Sequence, residues 1–256
     1  MILRRLTRHV KDQNWFAVGL DFVIVVIGVF IGLQVSNWNA TRADKATGAA
    51  YLARIAADIR SDDARLADIM ETWREDAAQT ETIVHYLEGD PVGDLTDWDI
   101  FQIIYYGAGW TPFSPNRVTY DELISTGKFS LVADPALRRE IGDYYAALDD
   151  FAGFYSFQTP MRETVRSKYS PDVQTYMWEA CFPEAHYRGA ESGWRDCAPP
   201  EDAEMVAATL DALKRSDEVL DAARYAASVR VILLRAAPID RSRAQDLAAK
   251  IEGYFE

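Results

Sequence analysis

Two cysteines are the residues whose chemistry is easiest to interpret in this chain, because thiols form disulfides or bind metal ions. Cys181 and Cys197 enclose a loop rich in glycine and in turn-forming residues. A disulfide that closes this loop is the first interpretation. A metal site is the alternative, and its ligands would be Cys181, His186 and Cys197 with Glu184 or Asp196, although this spacing matches no standard zinc pattern. Free thiols are the third; we predict the disulfide and no metal.

The three histidines, His9, His85 and His186, are spread along the chain and do not form a catalytic motif. No G-x-S-x-G, H-E-x-x-H or phosphate-binding glycine loop occurs. A hydrolase with two catalytic carboxylates stays open because acidic residues are abundant. Asp121 and Glu122, however, are explained as first-turn residues of a helix. We therefore predict that the protein is not an enzyme and needs no cofactor.

Asp21 is an ionisable residue about seven positions inside an apolar segment. A charged side chain inside a bilayer costs at least about 2–3 kcal/mol, so such residues are usually paired. Intervals of four and three place it on one helical face with Val25, Gly28, Gly32 and Val35. Gly28-x-x-x-Gly32 lets a second helix approach closely. Either a partner helix supplies a hydroxyl or basic group to Asp21, or Asp21 reaches headgroup water and the glycines are incidental.

The apolar segment that carries Asp21 runs from Trp15 to Val35. As a helix it is roughly 30 Å long, which matches the hydrocarbon core of a bilayer. We predict a transmembrane helix over residues 15–38, with an indole at each end. A cleaved signal peptide is the alternative, but the apolar run is long for one, and Trp38 and Ala40 do not form a cleavage site. An uncleaved signal-anchor is therefore the prediction.

The charges around the predicted span set its orientation. Four basic residues precede it, Arg4, Arg5, Arg8 and Lys11, whereas mixed charges follow it. The positive-inside rule predicts a cytoplasmic tail over residues 1–14 and an extracytoplasmic domain over 39–256. The expected location is the bacterial inner membrane with a periplasmic domain, which suits a disulfide.

The extracytoplasmic part is strongly acidic. It holds 38 acidic and 23 basic residues, because two acidic and four basic residues lie before Trp38. A net charge of about −15 repels phosphate backbones and anionic headgroups, so nucleic acid and peripheral lipid are not expected partners. Divalent cations or a basic protein stay open, beside the simpler interpretation of an acidic, soluble surface.

Periodicity predicts an all-α fold. From Ala40 to Leu87 apolar residues recur every seven positions, which is typical of a coiled coil or bundle arm. Nothing between Trp38 and Tyr51 stops a helix apart from a weak point at Gly48, so the span is expected to continue into the arm. One row of this repeat is Leu52, Ile59, Leu66, Trp73, Thr80 and Leu87, and the other is Ile55, Asp62, Ile69, Asp76 and Ile83.

Caps and prolines predict the remaining helices. A capping box at residues 119–122 opens a short helix that ends before Gly127, and FSLVA at 129–133 is the only candidate strand. Asp134-Pro135 begins a helix to about Gln158, whose apolar face includes Tyr144 but not Tyr145. Further helices begin at 159–160 and 170–171, and others cover about 201–214, 217–236 and 241–254. The fold class is an extracytoplasmic helical bundle.

Aromatic residues are dense between Tyr105 and Phe157. Most lie on apolar helix faces and are expected in the core. Tyr145, Phe154 and Phe157 lie off the predicted face of their helix, so they are the candidates for a ligand-binding cleft.

Several short motifs stand at intervals along the first part of the chain. They are Asp21, Val25 to Gly28, Asn37-Trp38-Asn39, Glu122-Leu123 with Gly127, and Tyr144-Tyr145. With these motifs the chain resembles a family of uncharacterised bacterial single-pass membrane proteins. That family has an acidic residue at the start of the span, a V-V-I-G core, a closing N-W-N triplet, and later an E-L-x-x-x-G segment before paired tyrosines. The resemblance implies membrane anchoring and a helical outer domain, but no catalytic residue.

Two functions remain in view at this point. The first is a membrane-anchored scaffold that assembles through its transmembrane helix with another membrane protein or with a second copy. The second is a ligand-sensing domain that signals through a membrane partner, since a 14-residue tail is too short for an effector domain. An energy-coupling role beside a proton-driven motor is a weaker architectural analogy.

Overall fold

The structure is a computed structural model that describes residues 15–155, 159–182 and 197–254, without the side chains of 15–18 and 151–155. Of the described residues 82% are helical and none is in a strand, which confirms the all-α prediction. A 3₁₀ segment, Lys128–Leu131, and a π-helical segment, Met177–Cys181, accompany eight α-helices. The helices are α1 Trp15–Glu88, α2 Asp97–Gly107, α3 Val118–Ser125, α4 Pro135–Tyr155, α5 Met161–Arg166, α6 Pro171–Tyr176, α7 Ala203–Lys214 and α8 Asp217–Gly253.

One helix forms both the apolar segment and the arm. α1 has 74 residues, which gives a length of about 110 Å. Its continuity confirms the prediction that the N-terminal apolar helix runs into a long helix. It ends at Glu88 as expected, because Gly89 adopts a φ of +87° that continues no helix and Pro91 follows.

α8 packs antiparallel along the arm of α1. Side-chain contacts between the two helices run in opposite directions along the chain, so that residues early in the arm meet residues late in α8. The pairs are Arg60 with Glu252, Asp63 with Arg241, Thr80 with Arg230, and Glu88 with Arg224.

α8 is one helix where the sequence pattern predicts two, with a break near Pro238. The prediction of a break there was wrong, because the helix continues from Asp217 to Gly253 with Pro238 inside it. Pro238 is exposed, while Leu233, Ala237 and Ala244 on the opposite side are buried against the core. Burial on both sides of the proline outweighs the hydrogen bond that its missing N–H cannot make.

The core is divided into three apolar clusters that succeed one another along α1. The first contains Ile55 and Ile59, the second is built around Trp73, and the third contains Ile83 and Leu87. The predicted heptad rows of the arm supply residues to all three. Polar members of those rows, Asp62 and Thr80, are also buried.

α3 begins differently from its predicted capping box. Its N-cap is Arg117 and makes no side-chain cap, while Thr119 is buried inside the helix. Glu122 instead accepts hydrogen bonds from Tyr51 and Arg54 of α1. A tertiary contact therefore takes the carboxylate that the local pattern assigned to the cap.

The segment after α3 is helical rather than extended. Gly127 has a φ of +68° just beyond the C-cap Thr126, as predicted. The predicted strand at 129–133 was wrong, because Lys128–Leu131 forms a 3₁₀ turn. Five residues without a second strand beside them have no partner for backbone hydrogen bonds, and the turn satisfies these groups locally.

Local signals placed two other helix starts correctly. Asp134 accepts hydrogen bonds from the backbone N–H groups of Ala136 and Leu137. Ser170 caps α6, where Pro171 occupies the first turn. The cap and the proline fix the backbone independently of tertiary contacts.

At Gly48 the backbone of α1 lies directly against the backbone of the 3₁₀ segment. A Cβ built at this position would lie 3.1 Å from the carbonyl carbon of Leu131 and nearer still to its oxygen. Both atoms belong to the backbone, so no flexible side chain could move aside. The predicted weak point of α1 is therefore the place where the 3₁₀ segment packs on it.

Gly48→Ala is expected to destabilise the domain by about 1–3 kcal/mol, because the backbones of α1 and the 3₁₀ segment must separate. Gly142→Ala is the matched control, since a Cβ there meets nothing within 4 Å, and it should be neutral or stabilising by up to about 1 kcal/mol. Thermal unfolding of the full chain in detergent measures both changes. Equal midpoints for the two variants would contradict the close contact.

Candidate functional site

The first part of α1 is exposed along its whole circumference. Every residue from 19 to 46 is exposed, and Phe22 and Trp38 keep 68% and 62% of their surface. Among the described residues, α1 is the one helix long and apolar enough to cross a membrane. Bare apolar surface of this extent in water would be strongly unfavourable, whereas lipid covers it without cost.

The face that contains Asp21 is open. A Cβ at Gly28 or Gly32 would meet no atom within 4 Å. Asp21 is exposed as well. None of the described residues outside α1 covers this face, which leaves it available to lipid or to another helix.

A first polar layer separates the first and second apolar clusters. Asp62 is 4% exposed and accepts hydrogen bonds from the Arg65 guanidinium and, at 2.6 Å, from the Asn116 backbone N–H. The Asn116 side chain donates to Asp58 over 3.0 Å. Burial raises the pKa of Asp62, and the Asn116 and Arg65 contacts oppose that rise. This layer holds the loop before α3 against α1.

A second polar layer separates the second and third clusters. Arg230 of α8 is 1% exposed and donates to the Thr80 hydroxyl and to the carbonyls of Gly107 and Gly109 at 2.7 and 3.0 Å. Thr80 in turn donates to the backbone carbonyl of Asp76. Burial raises the pKa of Asp76 to about 6, and the Arg230 charge opposes part of that rise. Three helices, α1, α2 and α8, therefore meet at one guanidinium.

Sequence reasoning did not identify Arg230 as a buried polar residue. The feature that could have drawn attention to it is the position of an arginine within the apolar run VRVILL of α8. An arginine placed in such a run either reaches solvent or finds hydrogen-bond acceptors in the core. The sequence does not say which, because the carbonyls that satisfy it come from the end of α2.

The predicted aromatic cleft does not form around Tyr145. Tyr145 is 1% exposed, stacks on Tyr120 with ring centroids 4.2 Å apart, and lies beneath the Arg117 guanidinium. The predicted core face of this helix was wrong at one position. Leu137, Ile141 and Leu148 are buried as expected, but the tyrosine buried with them is Tyr145 and not Tyr144. The side chains of Phe154 and Phe157 lie outside the described residues.

An open cleft of about 580 Å³ lies between α4 and α8. Its floor is apolar and its rim is charged. Burial raises the pKa of Tyr144, and the carboxylates of Asp62 and Asp240 raise it further. Lys250 and Glu140 form an ion pair across the cleft. The lining residues are Glu140, Asp143, Tyr144, Ala147, Leu148, Asp240, Arg243, Asp246, Leu247 and Lys250.

A family comparison covers most of the apolar segment of α1, its arm and the helices up to α4. Residues 21–153, just over half of the chain, match the family of unknown function DUF6090. The chain belongs to this family. No curated protein and no solved structure matches it. The match confirms the expected membership in an uncharacterised family, and it brings no activity with it.

The two cysteines of this DUF6090 chain are bonded to each other. Cys181 at the end of the π-helical segment and Cys197 before α7 form a disulfide with their Cα atoms 5.1 Å apart. Their sulfurs are therefore not thiolate ligands, and the predicted disulfide is confirmed over the metal site. Glu184, His186 and Asp196, the other ligands considered, lie outside the described residues.

One exposed group of possible metal ligands occurs among the described residues at the end of α1. His85, Glu88 and Asp90 have side-chain ligand atoms within 4.8 Å of one another. Glu88 already accepts two hydrogen bonds from Arg224, and His85 contacts Asp90 at 3.2 Å. These contacts account for the group as a helix end held against α8.

Asp76 makes the stability of the domain depend on pH. The pKa of its carboxyl group in the folded protein is about 6, against an ordinary 3.8. The folded state therefore binds the carboxyl proton of Asp76 more tightly than the unfolded state does. The contribution of Asp76 to the free energy of unfolding is therefore full below about pH 4 and falls as the pH rises towards 6. Relative to wild type, Asp76→Asn should gain up to about 3 kcal/mol between pH 4 and 7.

Chemical denaturation of the full chain in detergent at several pH values measures this difference. Asp68→Asn is the matched control because Asp68 is an exposed carboxylate on the same helix. The free energy of unfolding of this variant should differ from that of wild type by the same amount at every pH. A constant difference between Asp76→Asn and wild type from pH 4 to 7 would show that Asp76 titrates alike in the folded and unfolded states.

Proposed function

We propose that this chain is a single-pass inner-membrane protein that assembles through one face of its membrane helix. The helical domain beyond the span would serve as a scaffold for another membrane protein or for a second copy. The observation that carries the proposal is the open face of α1 that contains Asp21, Gly28 and Gly32, at the start of a helix that continues into the domain core.

The chemistry of this face favours a protein partner. Lipid tails can cover apolar side chains, but they offer no hydrogen bond to the Asp21 carboxylate. Two glycines one turn apart lower the surface of the helix and let a second backbone come close. A partner helix that donates a hydroxyl or basic group would satisfy Asp21 while it packs on the glycines.

The proposed orientation places the tail in the cytoplasm and the domain in the periplasm of a bacterium. The basic residues before Trp15 support it through the positive-inside rule. The disulfide supports the same orientation because structural disulfides persist in oxidising compartments.

Affinity purification of the full-length protein in mild detergent, with mass spectrometry and a second, differently tagged copy, tests assembly. Gly28→Leu and Asp21→Asn should lose the specific partner or the second copy, because each removes one element of the open face. Gly19→Leu is the matched control, since Gly19 is equally exposed but lies half a turn away on the opposite face. If all four proteins run as the same lone monomer, the helix is only an anchor.

A ligand-sensing role is the second candidate, and the cleft between α4 and α8 favours it. A volume of about 580 Å³ with an apolar floor is the size of a small-molecule site. A thermal-shift screen of organic amines and acids against the full chain tests it, since a ligand stabilises the folded state. Ala147→Trp should fill the cleft and abolish any shift; a shift that persists would place the ligand elsewhere.

A further inference from the structure

The charge of the acidic domain is not evenly distributed. We define its proximal end as residues 40–54 of α1 and residues 124–139, which run from the end of α3 through the 3₁₀ segment into α4. This end carries two acidic residues, Asp44 and Asp134, against six basic ones. The excess of acidic residues lies entirely in the remainder of the domain. The basic residues are Arg42, Lys45, Arg54, Lys128, Arg138 and Arg139.

The proximal end lies next to the end of the apolar helix. Leu131 packs on Gly48, which follows Trp38 by about 15 Å along α1. The headgroup layer beyond the hydrocarbon is roughly 5–8 Å thick, and helix tilt of about 20° lowers one side of the domain further. Charges at this level fall within about one Debye length of the headgroups.

Most of these basic groups have no carboxylate partner. In the part of the chain that the structure describes, no ion pair within 4 Å involves Lys45, Lys128 or Arg139, and all three are exposed. Lys128 lies over the ring of Tyr51 at 5.6 Å, which holds its ammonium beside α1. The guanidinium of Arg42 lies over the ring of Trp38 at 5.8 Å.

The proximal end keeps a net positive charge, because its own carboxylates are only Asp44 and Asp134 against six basic groups. Asp134 is engaged as the N-cap of α4 through the backbone N–H groups of Ala136 and Leu137. Glu122, just outside the proximal end, accepts a hydrogen bond from Tyr51 and forms an ion pair with Arg54, and these contacts and the Lys128 charge lower the pKa of its carboxyl group. Ile124, which is 48% exposed, adds an apolar side chain to the same end.

We propose that the proximal end binds the anionic phospholipid headgroups of the bilayer that α1 crosses. This inference rests on the proposed membrane span. It differs from the expectation that the acidic domain repels lipid, because the net charge of the domain is the sum of a basic proximal end and an acidic remainder. Attraction at one end and repulsion at the other would hold the domain upright on its helix.

Full-length protein in nanodiscs tests the proposal by energy transfer to a headgroup-labelled lipid. A donor dye on Ser130→Cys reports the proximal end, and one on Asp94→Cys reports the distant loop after α1; both sites are exposed and the native cysteines are bonded to each other. The discs contain either phosphatidylcholine alone or phosphatidylcholine with phosphatidylglycerol. Transfer from residue 130, and not from residue 94, should rise with phosphatidylglycerol, and about 1 M salt should abolish the rise.

Charge-removal variants identify the groups responsible. Lys128→Gln/Arg138→Gln/Arg139→Gln should lose the rise. The matched control, Arg162→Gln/Arg215→Gln/Arg235→Gln, removes the same charge from exposed positions far from α1's apolar segment and should keep it. Two results would overturn the proposal without contradicting the span. One is equal energy transfer from residue 130 in the two kinds of disc, and the other is an equal loss of the phosphatidylglycerol-dependent rise in the charge-removal variant and in its control. Failure of the chain to enter nanodiscs would instead contradict the span itself.

Discussion

The antiparallel contact between α1 and α8 is the interaction on which the rest of the fold depends. Its apolar clusters supply burial, but burial alone tolerates sliding of one helix along another. The polar layer at Arg230 and the ion pair of Asp63 with Arg241 fix the position, because a shift of one turn would separate Arg230 from Thr80 and leave buried N–H donors unpaired. The loop after α2 is tied to the same register through the carbonyls of Gly107 and Gly109.

This register has a consequence for the membrane segment. Because α1 is one helix, the apolar residues before Trp38 continue directly into the residues that pack on α8. The 3₁₀ segment at Gly48 supports the helix where it enters the domain. A rotation or tilt of the apolar part of α1 would therefore be transmitted to the bundle through a continuous helix.

The sequence predicted the fold class, the long apolar helix that continues into the arm, and the disulfide, because each depends on local patterns or on the chemistry of cysteine. It failed where tertiary packing decides. Pro238 does not break α8, since burial on both sides holds the helix, and Glu122 leaves its cap for Tyr51 and Arg54. The inward position of Tyr145 and the partners of Arg230 depend on helix phase and on distant carbonyls. The shared face of Asp21, Gly28 and Gly32 rests on spacing alone and stays a prediction, because this part of α1 is exposed on every side.

The most direct test of this account is the distance between spin labels on either side of Gly48. Ala40→Cys and Ala64→Cys are exposed positions on α1, and the native cysteines are bonded to each other. An unbroken helix places their Cα atoms about 36 Å apart along the axis. In nanodiscs, pulsed electron paramagnetic resonance should show one narrow distribution near that distance. A broad distribution with shorter distances would reveal a hinge at Gly48 and contradict direct coupling of the span to the domain.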